Sequence, residues 1–154
     1  MFRIGQSTDI HNLVAGDHII LGQTKITCPL KVEAISDGDV LTHAICEAII
    51  GALGLGDLGD HFPEGEQKQG FSSIKIIEYC NKLLELRNYE IGNIDSLIIL
   101  DSPKLSEHKI NIRNNLTKLF KLKSELLNIK ATTSERNFTN IIQVNAVVIL
   151  KEIK

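Results

Sequence analysis

The stretch Val40-Leu41-Thr42-His43-Ala44-Ile45-Cys46-Glu47-Ala48-Ile49-Ile50-Gly51-Ala52-Leu53 decides the fold. Its apolar residues at Val40, Leu41, Ala44, Ile45, Ala48 and Ile49 recur at three- and four-residue intervals, which predicts a well-buried helix. Ser36-Asp37-Gly38-Asp39 precedes it with turn chemistry and side chains that cap helix N-termini. The glycine-rich run Gly51 to Gly59 ends the helix in a loop that continues to about Gly70. Upstream, Phe2 to His11 reads as an extended segment. Ile19-Ile20-Leu21 and Thr24-Lys25-Ile26 flank Gly22-Gln23 as a hairpin. Downstream, Ser72 or Ser73 caps a second helix with the stripe Ile76, Ile77, Cys80, Leu83 and Leu84. Ile94 to Leu100 is a short apolar strand that stops at Asp101-Ser102-Pro103, and Ser106 opens a third helix through Ile110, Arg113, Leu116 and Phe120. Leu127, Ile129 and Ala131 alternate with Asn128, Lys130 and Thr132 as a half-buried strand, and Val144 to Leu150 is the closing strand. Strands interleaved with helices predict an α+β two-layer sandwich, a mixed sheet with helices packed on one face. No repeat, low-complexity tract or linker divides residues 1–154, so one domain is expected.

Composition narrows the function classes. Of 154 residues, 43% are hydrophobic and 23% charged, in the ordinary range of a soluble domain. A net charge of -2 and the absence of tryptophan give neither the electrostatics nor the stacking platform of a nucleic-acid binder. Lys118, Lys121 and Lys123 read as a solvated helix face. No apolar run is long enough to cross a bilayer, and Met1-Phe2-Arg3-Ile4-Gly5 does not have the form of a basic leader before an apolar stretch. Cys28, Cys46 and Cys80 are odd in number and widely spaced, which reads as reduced thiols in a cytoplasmic protein.

Asp9-Ile10-His11 carries the first chemistry. In an extended segment Asp9 and His11 project to one face while Ile10 is expected to enter the core. A carboxylate oxygen and an imidazole nitrogen suit zinc, although an Asp-x-His pair alone also occurs at many solvated strand ends. His43 lies in the first turns of the apolar helix. If the N-terminal strand packs beside that helix start, His43 completes a three-ligand set with one coordination position open, the arrangement of catalytic zinc; otherwise it is a core histidine bonded to a carbonyl.

An ordered set of landmarks resembles the 2-C-methyl-D-erythritol 2,4-cyclodiphosphate synthase family. They are Arg3-Ile4-Gly5, Asp9-x-His11, Ser36-Asp37-Gly38-Asp39-Val40-x-x-His43-Ala44, Gly51 to Gly59, Phe62-Pro63, Ser102-Pro103-Lys104 and Lys130 to Glu135. The resemblance implies a cyclase that takes 4-diphosphocytidyl-2-C-methyl-D-erythritol 2-phosphate, closes its own 2-phosphate onto the β-phosphate and expels CMP, a phosphorus–oxygen lyase of non-mevalonate isoprenoid synthesis. It implies zinc on Asp9, His11 and His43, magnesium or manganese on Glu135, and transition-state stabilisation at Thr133. Ser36, Asp57, Leu58, Gly59, Phe62 and Glu64 correspond to the erythritol and phosphate region. Asp101, Ser102, Pro103, Lys104, Leu105, Thr132, Ser134 and Phe138 correspond to the cytidine and phosphate segments. It also implies a homotrimer with active sites between subunits.

The chain departs from that pattern most strongly at two places and more mildly at others. Ile35 stands where the family carries a histidine, and the loss of one oriented donor typically costs about 2.7 to 4 kcal/mol of transition-state stabilisation, or roughly two to three orders of magnitude in rate. The segment after Glu135, Arg136-Asn137-Phe138-Thr139-Asn140, is shorter than the family's and lacks its arginine. Glu47 replaces an aspartate and Thr8 an aromatic residue. These changes keep an alternative open, an impaired trimeric relative that binds metal or nucleotide or acts as a scaffold. A third expectation is a metal-dependent phosphohydrolase, since an open zinc site activates water.

Overall fold

The computed structural model describes residues 1–63, 65 and 67–153. Strand β1 (Phe2–Ala15) and strand β7 (Ile141–Glu152) pair antiparallel along most of their length and form the centre of a five-stranded sheet. On one side of them lies β4 (Leu30–Val32); on the other come β5 (Tyr89–Ile99) and then β6 (Leu127–Thr132). Only β5 and β6 run parallel, so the chain must cross between them, and helix α4 (Lys109–Leu119) does so. The hairpin β2 (His18–Leu21) and β3 (Thr24–Thr27) stands apart as a two-stranded sheet. Gly22 and Gln23 both have positive φ, 55° and 59°, the backbone of a two-residue turn whose twist matches its strands.

Helix α1 (Val40–Leu53) has the bounds that its periodicity predicts, and it lies directly on β1 and β7. Close approach is possible because β1 turns small residues toward it. A Cβ on Gly5 would stand 1.8 Å from the Ala48 carbonyl oxygen, and Ser7 Oγ donates to the Ala44 carbonyl at 3.0 Å. Leu41, Ile45, Ile49 and Ile50 are fully buried, each contributing about 1.5–3 kcal/mol of apolar transfer. Helix α3 (Ile74–Arg87) covers the next strip of sheet with Ile76, Ile77, Cys80 and Leu84. A short helix, α2 (Leu58–His61), interrupts the segment expected to be loop. The three thiols are free and buried, and burial pushes the Cys46 thiol well above its ordinary value. No helix among the described residues is long and apolar enough to cross a membrane.

Several expectations need correction. Ile10 does not enter the core: it is exposed, as are Phe2 and Ile4, whereas Gly5, Ser7, Asp9 and His11 face the helix layer. The other face of the sheet also carries apolar residues, among them Phe2, Ile4 and Ile10, and no helix among the described residues covers them, so apolar character alone did not identify the inner face. Strand β1 continues to Ala15, β4 was not anticipated, and β5 begins at Tyr89 with a register shift between Ile91 and Asn93 that hid its alternation. Helix α4 begins at Lys109 rather than Ser106; residues 106–108 form a turn, and the amides of His108 and Lys109 both donate to the Leu105 carbonyl.

Candidate active site

Alternation along β1 brings Asp9 and His11 to the same inner face, where the first turn of α1 presents His43. His11 Nε2 lies 3.3 Å from Asp9 Oδ1, and His43 Nδ1 lies 4.0 Å from Asp9 Oδ2. The outer nitrogen of each ring is already engaged. His11 Nδ1 donates to the Glu33 carbonyl at 3.1 Å, and His43 Nε2 is 2.9 Å from Ser73 Oγ. A neutral His11 therefore turns a lone pair toward Asp9. Asp9 Oδ2 is buried and has no hydrogen-bond partner among the described residues.

Acceptors that face one another across a buried gap fit a cation, and the oxygen–nitrogen donor set suits zinc or a similar divalent ion. The three side chains are not drawn together as a finished ligand set, and no such group exists among the described residues. The 4.0 Å separation exceeds the edge of roughly 3.4 Å for a tetrahedral zinc sphere, so His43 and Asp9 must close by less than about an ångström. Without a cation, the hydrogen bond that protonated His11 donates to the Asp9 carboxylate holds the His11 pKa above its ordinary value, against the opposing effect of burial.

These groups open into a cavity of about 570 Å³ that Ile35, Ser36, Leu58, Gly59 and Phe62 also line. Asp57 does not line it: its carboxylate accepts from the Asp60 amide and caps α2, while the Asp60 carboxylate accepts from the Asp57 amide. Glu64 lies outside the described residues. Sequence reasoning missed three supports of this pocket. Glu47 Oε2 accepts from the Leu58 amide at 2.8 Å. His61 donates through Nε2 to the Leu55 carbonyl and accepts at Nδ1 from Tyr79 Oη, tying the loop to α3. Ser73, expected to cap α3, makes no capping bond and instead contacts His43. A histidine followed by an aromatic residue, His61-Phe62, was the visible signal for the second of these.

Most of the remaining candidates line a second pocket at the other edge of the sheet, and Ser102, Ser134, Glu135 and Phe138 lie outside its lining. A cleft of about 210 Å³ is lined by Asp101, Pro103, Lys104, Leu105, Thr132 and Thr133. Asp101 accepts from the Ser134 amide at 2.6 Å and from its hydroxyl at 2.7 Å, locking the two loops together. Ser102 precedes Pro103 through a cis peptide. Thr133 Oγ1 donates to Glu135 Oε1 at 3.0 Å, and Phe138 is exposed with its amide on Ser134 Oγ. The two pockets are level but apart. Asp9 is opposite Val144, Val144 opposite Ile98, and Ile98 opposite Ala131, three strand spacings or about 14 Å across the sheet.

Two pockets on one α+β sandwich each combine ionisable side chains with loop backbone, an arrangement suited to holding a charged small molecule. The chain belongs to the YgbB family, whose model matches residues 2–151. It is 43% identical over 137 residues to the 2-C-methyl-D-erythritol 2,4-cyclodiphosphate synthase of Fusobacterium nucleatum, covering 88% of this chain and 86% of the relative. The synthase of the same name from Synechococcus elongatus is 43% identical over 136 residues, covering 88% and 85%. A solved 2C-methyl-D-erythritol-2,4-cyclodiphosphate synthase in its CDP-bound form superposes with a TM-score of 0.91 at 32% identity, covering 97% of this chain and all of that one. The CDP complex of IspF from Plasmodium falciparum gives 0.88 at 31% identity, covering 99% and 97%.

Proposed function

We propose that the chain is a 2-C-methyl-D-erythritol 2,4-cyclodiphosphate synthase, a cyclising, CMP-releasing phosphorus–oxygen lyase of the cytoplasm. The observation that carries this reading is the buried, unpartnered Asp9 Oδ2 facing His43 in a cavity whose rim is Leu58, Gly59 and Phe62. In the reaction the substrate's 2-phosphate oxygen bonds to the β-phosphorus, the bond from that phosphorus to the oxygen bridging the α-phosphate breaks, and CMP departs with the electron pair. The nucleophile belongs to the substrate, so the chain needs to supply only folding-back of a polyanion and compensation of its charge. Asp9, His11 and His43 would hold a zinc or similar divalent ion and Glu135 a magnesium or manganese ion, which polarise the diphosphate and neutralise its charge. Ser36, Leu58, Gly59 and Phe62 shape the cavity that takes the erythritol end, the capped Asp57 fixes the start of α2, and Glu64 belongs to the same loop in sequence. The loop Asp101 to Leu105 receives cytosine against Thr132, and the Thr133 hydroxyl steadies the transferring phosphates.

One copy keeps the two pockets three strands apart. A homotrimer with active sites between subunits would place one copy's imidazole pocket beside its neighbour's cytidine cleft. The uncovered apolar residues Phe2, Ile4, Ile10 and Val147 on the outer sheet face supply the surface for that assembly.

Incubation of purified protein with the cytidine substrate and magnesium, followed by phosphorus NMR, tests the reading. CMP with cyclic diphosphate supports it. CMP with open diphosphate indicates a phosphohydrolase, and no product indicates the impaired relative. Ile35 favours that last alternative, because an isoleucine that lines the cavity donates no hydrogen bond to phosphate. A large gain in rate in Ile35→His would identify the missing donor as the limit on catalysis.

A further inference from the structure

Ser73 opens α3 and is fully buried, yet its side chain makes no capping bond. Its hydroxyl lies instead between His43 Nε2 at 2.9 Å and Asp37 Oδ1 at 2.5 Å. Asp37 is surrounded by donors: the Ser73 hydroxyl, the Ser73 amide at 2.9 Å, Gln23 Nε2 at 3.2 Å and the Asp39 amide at 3.3 Å. A carboxyl group facing four donors is an acceptor, so the single Ser73 proton points at Asp37. The serine oxygen then has only lone pairs for His43, and Nε2 must carry the imidazole proton. Nδ1 is left as a lone pair aimed at Asp9, whose Oδ2 has no donor.

We propose that Ser73 and Asp37 are positioning residues that fix His43 as the Nε2–H tautomer, keeping Nδ1 free to bind a cation with Asp9. The inference rests on the reading of this pocket as a cation site for its purpose, but the tautomer stands on the hydrogen bonds alone. Without the relay, nothing prevents Nδ1 from carrying the proton and donating it to Asp9 Oδ2, which closes the gap and withdraws both ligands. The backbone carbonyl of Glu33 performs the same office for His11, and no substitution can remove it. The relay to His43 is made of side chains, which makes it testable.

The test is imidazole nitrogen NMR of the metal-free full chain at about pH 8, where a free imidazole is neutral. Native His43 is expected as Nε2–H. Ser73→Ala shifts it toward Nδ1–H, Asp37→Ala moves it the same way by freeing the serine proton to turn, and Ser73→Thr restores the native tautomer. Titration with zinc alone should show affinity lower by about ten- to a hundred-fold in Ser73→Ala and near native in Ser73→Thr. A native Nδ1–H tautomer overturns the proposal and needs no variant to fold. A Ser73→Ala protein whose amide spectrum is native and whose His43 remains Nε2–H overturns it as well. Failure of the native chain to bind zinc would instead remove the cation reading, while the tautomer result would still decide the positioning role.

Discussion

Replacing Asp39 by asparagine should destabilise the chain by about 2–4 kcal/mol, although the change is one atom in size. Asp39 is wholly buried and caps α1. Oδ1 accepts from the amides of Gly22 at 2.9 Å and Thr42 at 3.0 Å. Oδ2 accepts from the Gln23 amide at 2.7 Å, Gln23 Nε2 at 2.9 Å and the Thr42 hydroxyl at 2.7 Å. The carboxylate thus joins the β2–β3 turn to the start of the helix that carries His43. An asparagine must point its NH₂ at one of these donor sets. The Oδ2 side is the milder choice, because the Thr42 hydroxyl and the Gln23 side-chain amide can reorient to accept. The Gln23 backbone N–H cannot, and one orphaned buried donor costs about 1–3 kcal/mol. Loss of charge assistance in the surviving bonds adds about 1 kcal/mol. Opposing this is relief of the desolvation that raises the Asp39 pKa, which the bonds from Thr42, Gln23 and Gly22 resist. Urea unfolding at neutral pH should show a lower midpoint with an unchanged slope. A neutral or more stable Asp39→Asn protein would refute the reasoning, since it would mean that desolvation outweighs all five bonds.

Other consequences follow from the same geometry. Gly5→Ala should lower stability by at least the 1–3 kcal/mol typical of overpacking, roughly, because its Cβ would overlap the Ala48 carbonyl; unfolding midpoints equal to native would contradict the close packing of β1 on α1. The raised His11 pKa makes the metal-free chain's Asp9–His11 contribution fully present below the ordinary value of 6.5 and lost as pH rises through the raised one. Denaturation from about pH 6 to pH 8.5 should therefore show stability falling with pH, and His11→Gln should flatten that decline; an equal slope in both proteins would exclude His11 as its source. Ile4→Lys, on the uncovered sheet face, should shift sedimentation toward a smaller species without changing the circular dichroism of the fold. Unaltered sedimentation would count against the proposed assembly through this face.

What the sequence revealed, and what it hid, divides by the range of the interactions involved. Helix α1 was legible because its burial is written in its own spacing, and Asp9 and His11 because a strand's period of two is local. Their meeting with His43 required knowing which face of β1 the helix covers, and there the apolar cue pointed the wrong way. Ile10 is as apolar as a core residue, but it shares the outer side of β1 with Phe2 and Ile4, and Gly5 and Ser7 mark the inner side by their smallness. Size complementarity to a helix distant in sequence is not a periodic signal. Ser73 shows the same limit from another direction. A serine before an apolar stripe predicts a cap, and the helix does begin after it, yet a carboxylate from a distant turn captures the hydroxyl and diverts it to His43. The Glu33 carbonyl had no signature at all, because any residue type supplies one. The side chains that confront the candidate ion were therefore readable from their chemistry, whereas the groups that orient them became visible only when long-range packing had fixed who faces whom.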